Sequence, residues 1–201
     1  MLARRILTRR TLTRRMLASS RPLPARLYAV AMSAVEPDHT PIHSPVPAAV
    51  SSPVSVRAVE PADYEEWAAL FRGYREFYLL PPDETVIERV WAWINDETAE
   101  VHAFVAVADG ELVGLAHYRR FARPSTGTIG IFLDDLFTSP TSRGAGVGRE
   151  LLRELSTLAA SEGRSVVRWI TAEDNTRARR LYDSAATQTT WVTYDLAPGS
   201  L

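Results

Sequence analysis

The stretch Phe132-Leu133-Asp134-Asp135-Leu136-Phe137-Thr138-Ser139-Pro140-Thr141-Ser142-Arg143-Gly144-Ala145-Gly146-Val147-Gly148-Arg149-Glu150-Leu151-Leu152 decides how this 201-residue chain is read. A strand-forming run leads into a short loop, the loop closes on three alternating glycines, and a helix follows. Glycines let backbone approach a ligand closely, so successive amide N–H groups at the positive end of a helix surround a pyrophosphate. Such a site binds through backbone rather than through side chains. The dinucleotide fingerprint G-x-G-x-x-G is spaced differently and sits early in its fold, and no Gly-Lys-Ser/Thr follows here to make a P-loop. A turn that merely joins strand to helix is the remaining alternative.

Outward from this stretch the pattern alternates between strand and helix. Val54-Ser55-Val56-Arg57 alternates like a strand, and Pro61-Ala62-Asp63 opens a helix whose Trp67, Leu70, Phe71, Tyr74, Phe77 and Tyr78 recur at helical spacing until Pro81-Pro82 stops it. A second helix is expected from about Glu84 to Asn95, with Val86, Val90, Trp91 and Ile94 on one face. Residues 103–108 and 112–118 read as a hairpin about Asp109-Gly110, and Thr128 to Thr138 as a strand. Glu150 to Glu162 is expected to be helical, Val166 to Thr171 a strand, Thr176 to Ala186 a helix, and Thr190 to Leu196 a last strand. This order makes a mixed α/β sheet.

The flanks have a different composition. Residues 1–31 hold eight arginines and no acid, in the manner of a mitochondrial presequence, or else Met32 is the true start. Residues 32–54 are rich in proline and read as a disordered linker, so the domain is placed at 55–201. The chain is long enough for one such domain with a real core. It has no cysteine, which removes disulfides and thiolate chemistry, and His39 and His43 are separated by Pro41 and make no metal motif. No metal is expected. After residue 31 the acids outnumber the arginines by 24 to 15, which disfavours nucleic acid and favours a cationic partner. No stretch approaches the roughly 18 apolar residues needed to span a bilayer, so no membrane association is expected and the compartment is read as cytoplasmic, or mitochondrial if the leader is genuine.

Arg-x-x-Gly-x-Gly between strand and helix resembles the pyrophosphate-binding motif of the GNAT N-acetyltransferase superfamily, with Arg143, Gly146 and Gly148 in its fixed places. Trp169-Ile170-Thr171-Ala172-Glu173-Asp174-Asn175-Thr176-Arg177-Ala178-Arg179-Arg180-Leu181-Tyr182 looks like the second signature of the same superfamily. The upstream Phe-Leu-Asp-Asp-Leu-Phe is similar to the diamine and polyamine acetyltransferase branch and to the yeast histone and polyamine acetyltransferases. The resemblance covers 55–196, with motif-grade agreement over 132–182. It implies a GNAT fold: a central, mostly antiparallel mixed sheet with splayed middle strands, flanked by helices.

The resemblance also implies acetyl-CoA as cosubstrate, held by Leu136, Phe137, Thr138, Arg143, Gly144, Ala145, Gly146, Val147, Gly148 and Arg149, with Asn175 against the pantetheine arm or capping its helix. A backbone N–H at Leu136 or Phe137 polarises the thioester carbonyl, and Tyr182 protonates the leaving sulfur. A phenol of reference pKa about 10 gives its proton to a thiolate of about 8.5 only with help from alignment and local fields. Asp134 stands where relatives carry a glutamate that takes the amine's proton through water. Strand alternation predicts that Asp134 and Asp135 face opposite sides, with Asp134 in the cleft. Residues 57–100, the expected roof of the acceptor site, carry eleven acids and four arginines, and Tyr74, Glu76 and Tyr78 are candidate lining residues. The expected acceptor is a small cationic amine: a polyamine, diamine or amino acid. A basic protein tail, or binding of acetyl-CoA without catalysis, are the alternatives, and relatives imply a homodimer. After Leu-Tyr-Asp the usual Gly-Phe is replaced by Ser184-Ala185-Ala186-Thr187, which puts the turn into the last strand in doubt.

Overall fold

The structure, a computed structural model, describes residues 52–200. The arginine-rich leader and all but the last three residues of the proline-rich segment lie outside the described residues. The chain enters through β1 (Ser55–Ala58), a 3-10 turn (Pro61–Asp63), α1 (Tyr64–Phe77) and α2 (Glu84–Ile94). There follow β2 (Val101–Ala108), β3 (Glu111–Arg123) and β4 (Thr128–Thr138), and a second 3-10 turn (Pro140–Ser142) leads to α3 (Val147–Ser161). β5 (Val167–Arg168) and α4 (Thr176–Ala185) complete the fold. The strands lie in the order β1-β2-β3-β4-β5, antiparallel except for the parallel pair β4/β5.

Both faces of the sheet are covered, which is why the central strands read as almost unbroken apolar runs. Phe104, Ala106, Ala116, Tyr118, Ile131 and Leu133 face α3, whose Val147, Leu151, Leu152 and Leu155 supply the other side of that core. Val105, Leu115 and Phe137 face Trp67, Leu70 and Phe71 of α1 and Ile87 of α2. Local chemistry fixes the ends. Asp83 caps α2 by accepting from the Thr85 amide at 2.9 Å. Arg57 grips Asp63 with both guanidinium nitrogens at 2.6 and 2.8 Å, tying β1 to the entry of α1. At the hairpin, Asp109 and Gly110 both take positive φ, +53° and +86°, as the two-residue turn of a right-twisted hairpin requires.

Several boundaries differ from the sequence reading. α3 begins at Val147, inside the glycine loop, because Gly146 in the left-handed region (φ +85°) starts the helical turn there. β3 runs on to Arg123, since its pairing with β4 continues through Arg123↔Thr128. β5 is only two residues long: it pairs with β4 at Ile131↔Val167 and Phe132↔Arg168 and then departs, so the two strands splay. Val54, assigned to the linker, packs on the α3-side core.

The last strand, expected at Thr190 to Leu196, does not form. Residues 186–196 have no ladder partner among the described residues, and Trp191, Val192, Tyr194 and Leu196 are exposed. A strand exists only by pairing, and among the described residues no neighbour takes up the apolar alternation of the segment.

Candidate active site

Beyond the two paired residues of β5, a gap opens between β4 and β5, and the candidate residues lie beside it. Ser139 donates its amide to Val113 of β3 at 2.9 Å, and the β3/β4 register steps back without interruption from there to His117↔Asp135. The backbone groups of Phe137 and Asp135 therefore point at β3, while those of Leu136 and Thr138 point the other way, into the gap that β5 has left. Of the two amides expected from the sequence, Leu136 and Phe137, that of Leu136 is the one that faces the gap. Phe137 turns its ring into the α1-side core, packed so tightly that its tip lies 3.0 Å from the position a Cβ on Gly73 would take.

The phosphate turn continues from β4. Gly144 and Gly146 adopt φ of +92° and +85°, conformations that L side chains rarely take. Gly148 is needed for a different reason: a Cβ there would stand 3.0 Å from Leu181 Cδ2, so its absence lets α4 approach α3. The amides of Gly144, Gly146, Val147 and Gly148 have no backbone acceptor among the described residues, whereas those of Ala145 and Arg149 are engaged by Ser142 and Gly146 carbonyls. Four free amides at the N-terminus of a 15-residue helix fit a diphosphate.

Arg143 stands beside them with its guanidinium 5.9 Å from the centre of the Phe77 ring and no acidic partner among the described residues. Burial lowers its pKa, and the charge of Arg177 adds to the effect. Arg177, in the first turn of α4, was missed in the sequence because one more arginine in an arginine-rich chain carries no signal. Arg149 points away, donating to Ser184 Oγ at 2.8 Å.

Polar side chains from three elements meet beside the gap. Asn175 caps α4, its Oδ1 accepting from the Ala178 amide at 3.2 Å, while its side chain also acts on the Tyr78 hydroxyl. Tyr182 packs against Trp169 with ring centres 5.2 Å apart, and burial, with Tyr78 nearby, pushes its phenol well above the usual range. Tyr74 and Tyr78 are raised in the same way, first by burial and then by the Asp135 charge. A hydrogen-bonding interaction with Asp135 adds to the rise at Tyr74. Glu76 stands elsewhere, lining an open cavity of about 710 Å³ with Glu66, Gly73, Phe77, Phe137 and Arg143.

The expectation that Asp134 and Asp135 face opposite sides is overturned. The β3/β4 ladder passes from His117↔Asp135 to Tyr118↔Leu133, leaving Asp134 as an extra residue in a β-bulge. Asp135 meets His117 at 2.9 Å, and Asp134 accepts from Arg119 Nε at 3.2 Å. His117 and Arg119 are two apart on β3 and share a face, so both carboxylates do too. Burial raises the Asp134 carboxyl, and the charge and hydrogen bond of Arg119 pull it partly back.

The model of the acetyltransferase (GNAT) family matches residues 64–186. The chain belongs to that family. This GNAT chain is 30% identical over 149 residues to the D-amino-acid N-acetyltransferase HPA3 of Saccharomyces cerevisiae, covering 72% of the chain and 91% of the relative. It is 33% identical over 119 residues to an aminoglycoside N(6')-acetyltransferase type 1 of Stenotrophomonas maltophilia, covering 57% of the chain and 72% of the relative. Its fold superimposes on the aminoglycoside N-acetyltransferase AAC(6')-Iy, solved in complex with CoA, with a TM-score of 0.62 at 18% identity, over 74% of this chain and 97% of that one. The GNAT chain is an acyltransferase, and its mixed, mostly antiparallel sheet flanked by four helices is the fold of that family. No helix among the described residues is long and apolar enough to cross a membrane.

Proposed function

We propose that the protein transfers the acetyl group of acetyl-CoA to the primary amine of a small cationic acceptor: a polyamine, a diamine or an amino acid. The observation that carries this reading is the convergence, at the β4/β5 gap, of the Leu136 amide, the Tyr182 phenol and two carboxylates on one sheet face. The four free amides of the glycine turn and the unpaired Arg143 suit the diphosphate of the donor. The fold neighbour solved with CoA and the amine-acetylating relatives support the same reading.

Asp134, whose carboxyl burial raises, takes a proton from the acceptor ammonium through a water and passes it to solvent. The neutral nitrogen then attacks the thioester carbonyl carbon, and the Leu136 N–H meets the oxyanion as the C–N bond forms. As the C–S bond breaks, Tyr182 gives its proton to the sulfur and regains one from the new ammonium centre, leaving the amide and the free thiol. Burial keeps the phenol protonated until charge develops on the sulfur. The acidic first two helices draw a cation towards the cleft.

Thiol release from acetyl-CoA, screened with spermidine, a diamine, D-amino acids and a basic peptide, tests this reading. Turnover with a small amine in preference to the peptide is expected. Turnover with the peptide alone moves the function to protein tails, and binding of acetyl-CoA with no turnover removes the enzymatic role.

We further infer that the protein is a homodimer. Residues 190–196 are strand-like but unpaired, and β5 is the outer strand of the sheet, so a second copy offers both the missing partner and cover for Trp191 and Tyr194. Light scattering should give twice the chain mass, and Trp191→Ser with Tyr194→Ser should shift it to the monomer. A wild-type monomer at micromolar concentration would sink the inference.

A further inference from the structure

A line of hydrogen bonds runs from the hydrophobic core through Trp67 and His117 to Asp135. The indole N–H of Trp67 lies 3.0 Å from His117 Nε2, and an indole nitrogen only donates, so Nε2 is an acceptor. The ring is therefore neutral with its proton on Nδ1, which donates to Asp135 Oδ2 at 2.9 Å. His117 is 1% exposed, wedged edge-on against Phe71 with ring centres 4.9 Å apart. A leucine would fill such a site without the cost of burying an imidazole. What the imidazole adds is a fixed N–H aimed at one carboxylate.

Asp135 has the character of a binding group. Among the described residues it makes no ion pair with an arginine: its close polar partner is this neutral ring, and Arg119 is engaged by Asp134. Its charge reaches the half-buried phenols of Tyr74 and Tyr78. A carboxylate without a cation, flanked by aromatic rings, is a receptor for an ammonium group.

We propose that His117 is a positioning residue which holds the Asp135 carboxylate to grip the acceptor's ammonium group, leaving Asp134 to take the proton. The proposal rests on the small-amine reading above. The other charged or titratable groups that face the pair are Asp134, Arg119, Tyr74 and Tyr78.

The full-length chain carries the test, with spermidine as the amine. His117→Leu is expected to raise the KM for spermidine about tenfold while leaving the KM for acetyl-CoA unchanged and kcat within a few-fold, as loss of one hydrogen bond to a charged group does. His117→Asn, whose side-chain amide nitrogen stands near the place of Nδ1, should recover most of the loss. Nitrogen NMR of the wild type should show the neutral Nδ1–H tautomer. The carboxyl carbon of Asp135 should shift when spermidine is added to the CoA complex, and that response should weaken in the leucine variant. If the leucine variant does not fold, Asp135→Asn carries the same KM test.

An unchanged spermidine KM in a folded variant, or an Asp135 resonance unmoved by an amine that the enzyme turns over, overturns the proposal and leaves the small-amine reading intact. A wild-type protein that turns over no small amine overturns both.

Discussion

The side chain of Arg119 donates to Asp134 at 3.2 Å, on the same face of the sheet where His117 reaches Asp135. This pair gives the first prediction. Burial raises the Asp134 carboxyl and Arg119 opposes the rise, so removing the guanidinium leaves the burial effect unbalanced. Arg119→Met should move the acidic limb of the kcat/KM profile to higher pH. Asp134→Asn should lower kcat by about 10²-fold or more at neutral pH, the usual range for a general base. The stability sign follows the net rise, in which burial outweighs the Arg119 pair: the protonated form is favoured in the fold, so Asp134 contributes stability at low pH that is lost as pH rises through its raised pKa.

Tyr182→Phe keeps the ring packed on Trp169 but removes the proton donor. A fall in kcat of about 10²-fold with little change in either KM is expected from steady-state kinetics. Unchanged kcat would mean that the ring only packs.

Arg177→Ala should raise the KM for acetyl-CoA by about fivefold, in line with one lost exposed charge–phosphate contact, and leave the acceptor KM alone. Arg143→Ala should have the larger effect, because Arg143 adjoins the free amides of the turn. Isothermal titration with CoA separates binding from turnover.

Gly148→Ala brings a methyl within 3.0 Å of Leu181, while Gly114→Ala meets Val147 Cγ1 at 2.6 Å and the Phe137 carbonyl at 2.8 Å. The second has rigid backbone on one side and should cost more, about 2–3 kcal/mol against about 1 for the first, measured by urea denaturation. Both change the packing of α3, so the acetyl-CoA KM should rise in parallel.

Far from the cleft, Glu162 accepts from Arg120 Nε at 2.8 Å and Arg164 Nε at 2.7 Å, and these partners, Arg120 first, hold its carboxyl down at about 2. A lowered carboxylate gives stability that is complete above its unfolded value near 4.5 and is lost as pH falls towards 2. After allowance for its solvent contact the contribution is about 2 kcal/mol. Melting temperatures of the wild type and Glu162→Gln should converge across that window.

The elements that could be read in the sequence were those whose signal is local. The helical spacing of Trp67, Leu70, Phe71 and Tyr74, the Asp109-Gly110 turn and the glycine turn each depend on neighbouring residues and fall where expected. The final strand failed because its sequence says only that it suits a sheet, not that a neighbour is present. Asp135 was set aside because alternation along an ideal strand was applied across a bulge, and a bulge is visible only in the pairing register of β3 with β4. The His117 relay had no sequence signal at all, since Trp67, His117 and Asp135 come from three elements spread over 69 positions.

By itself the sequence determined most of the alternation of strands and helices and the glycine turn, because backbone dihedrals and amphipathic periodicity are properties of adjacent residues, whereas Tyr182 was named by the family resemblance alone. The tertiary structure decided which amide faces the gap, which face carries both aspartates and where the last strand has no partner. Those outcomes depend on register and on contacts between distant segments, which arise only when the sheet is assembled.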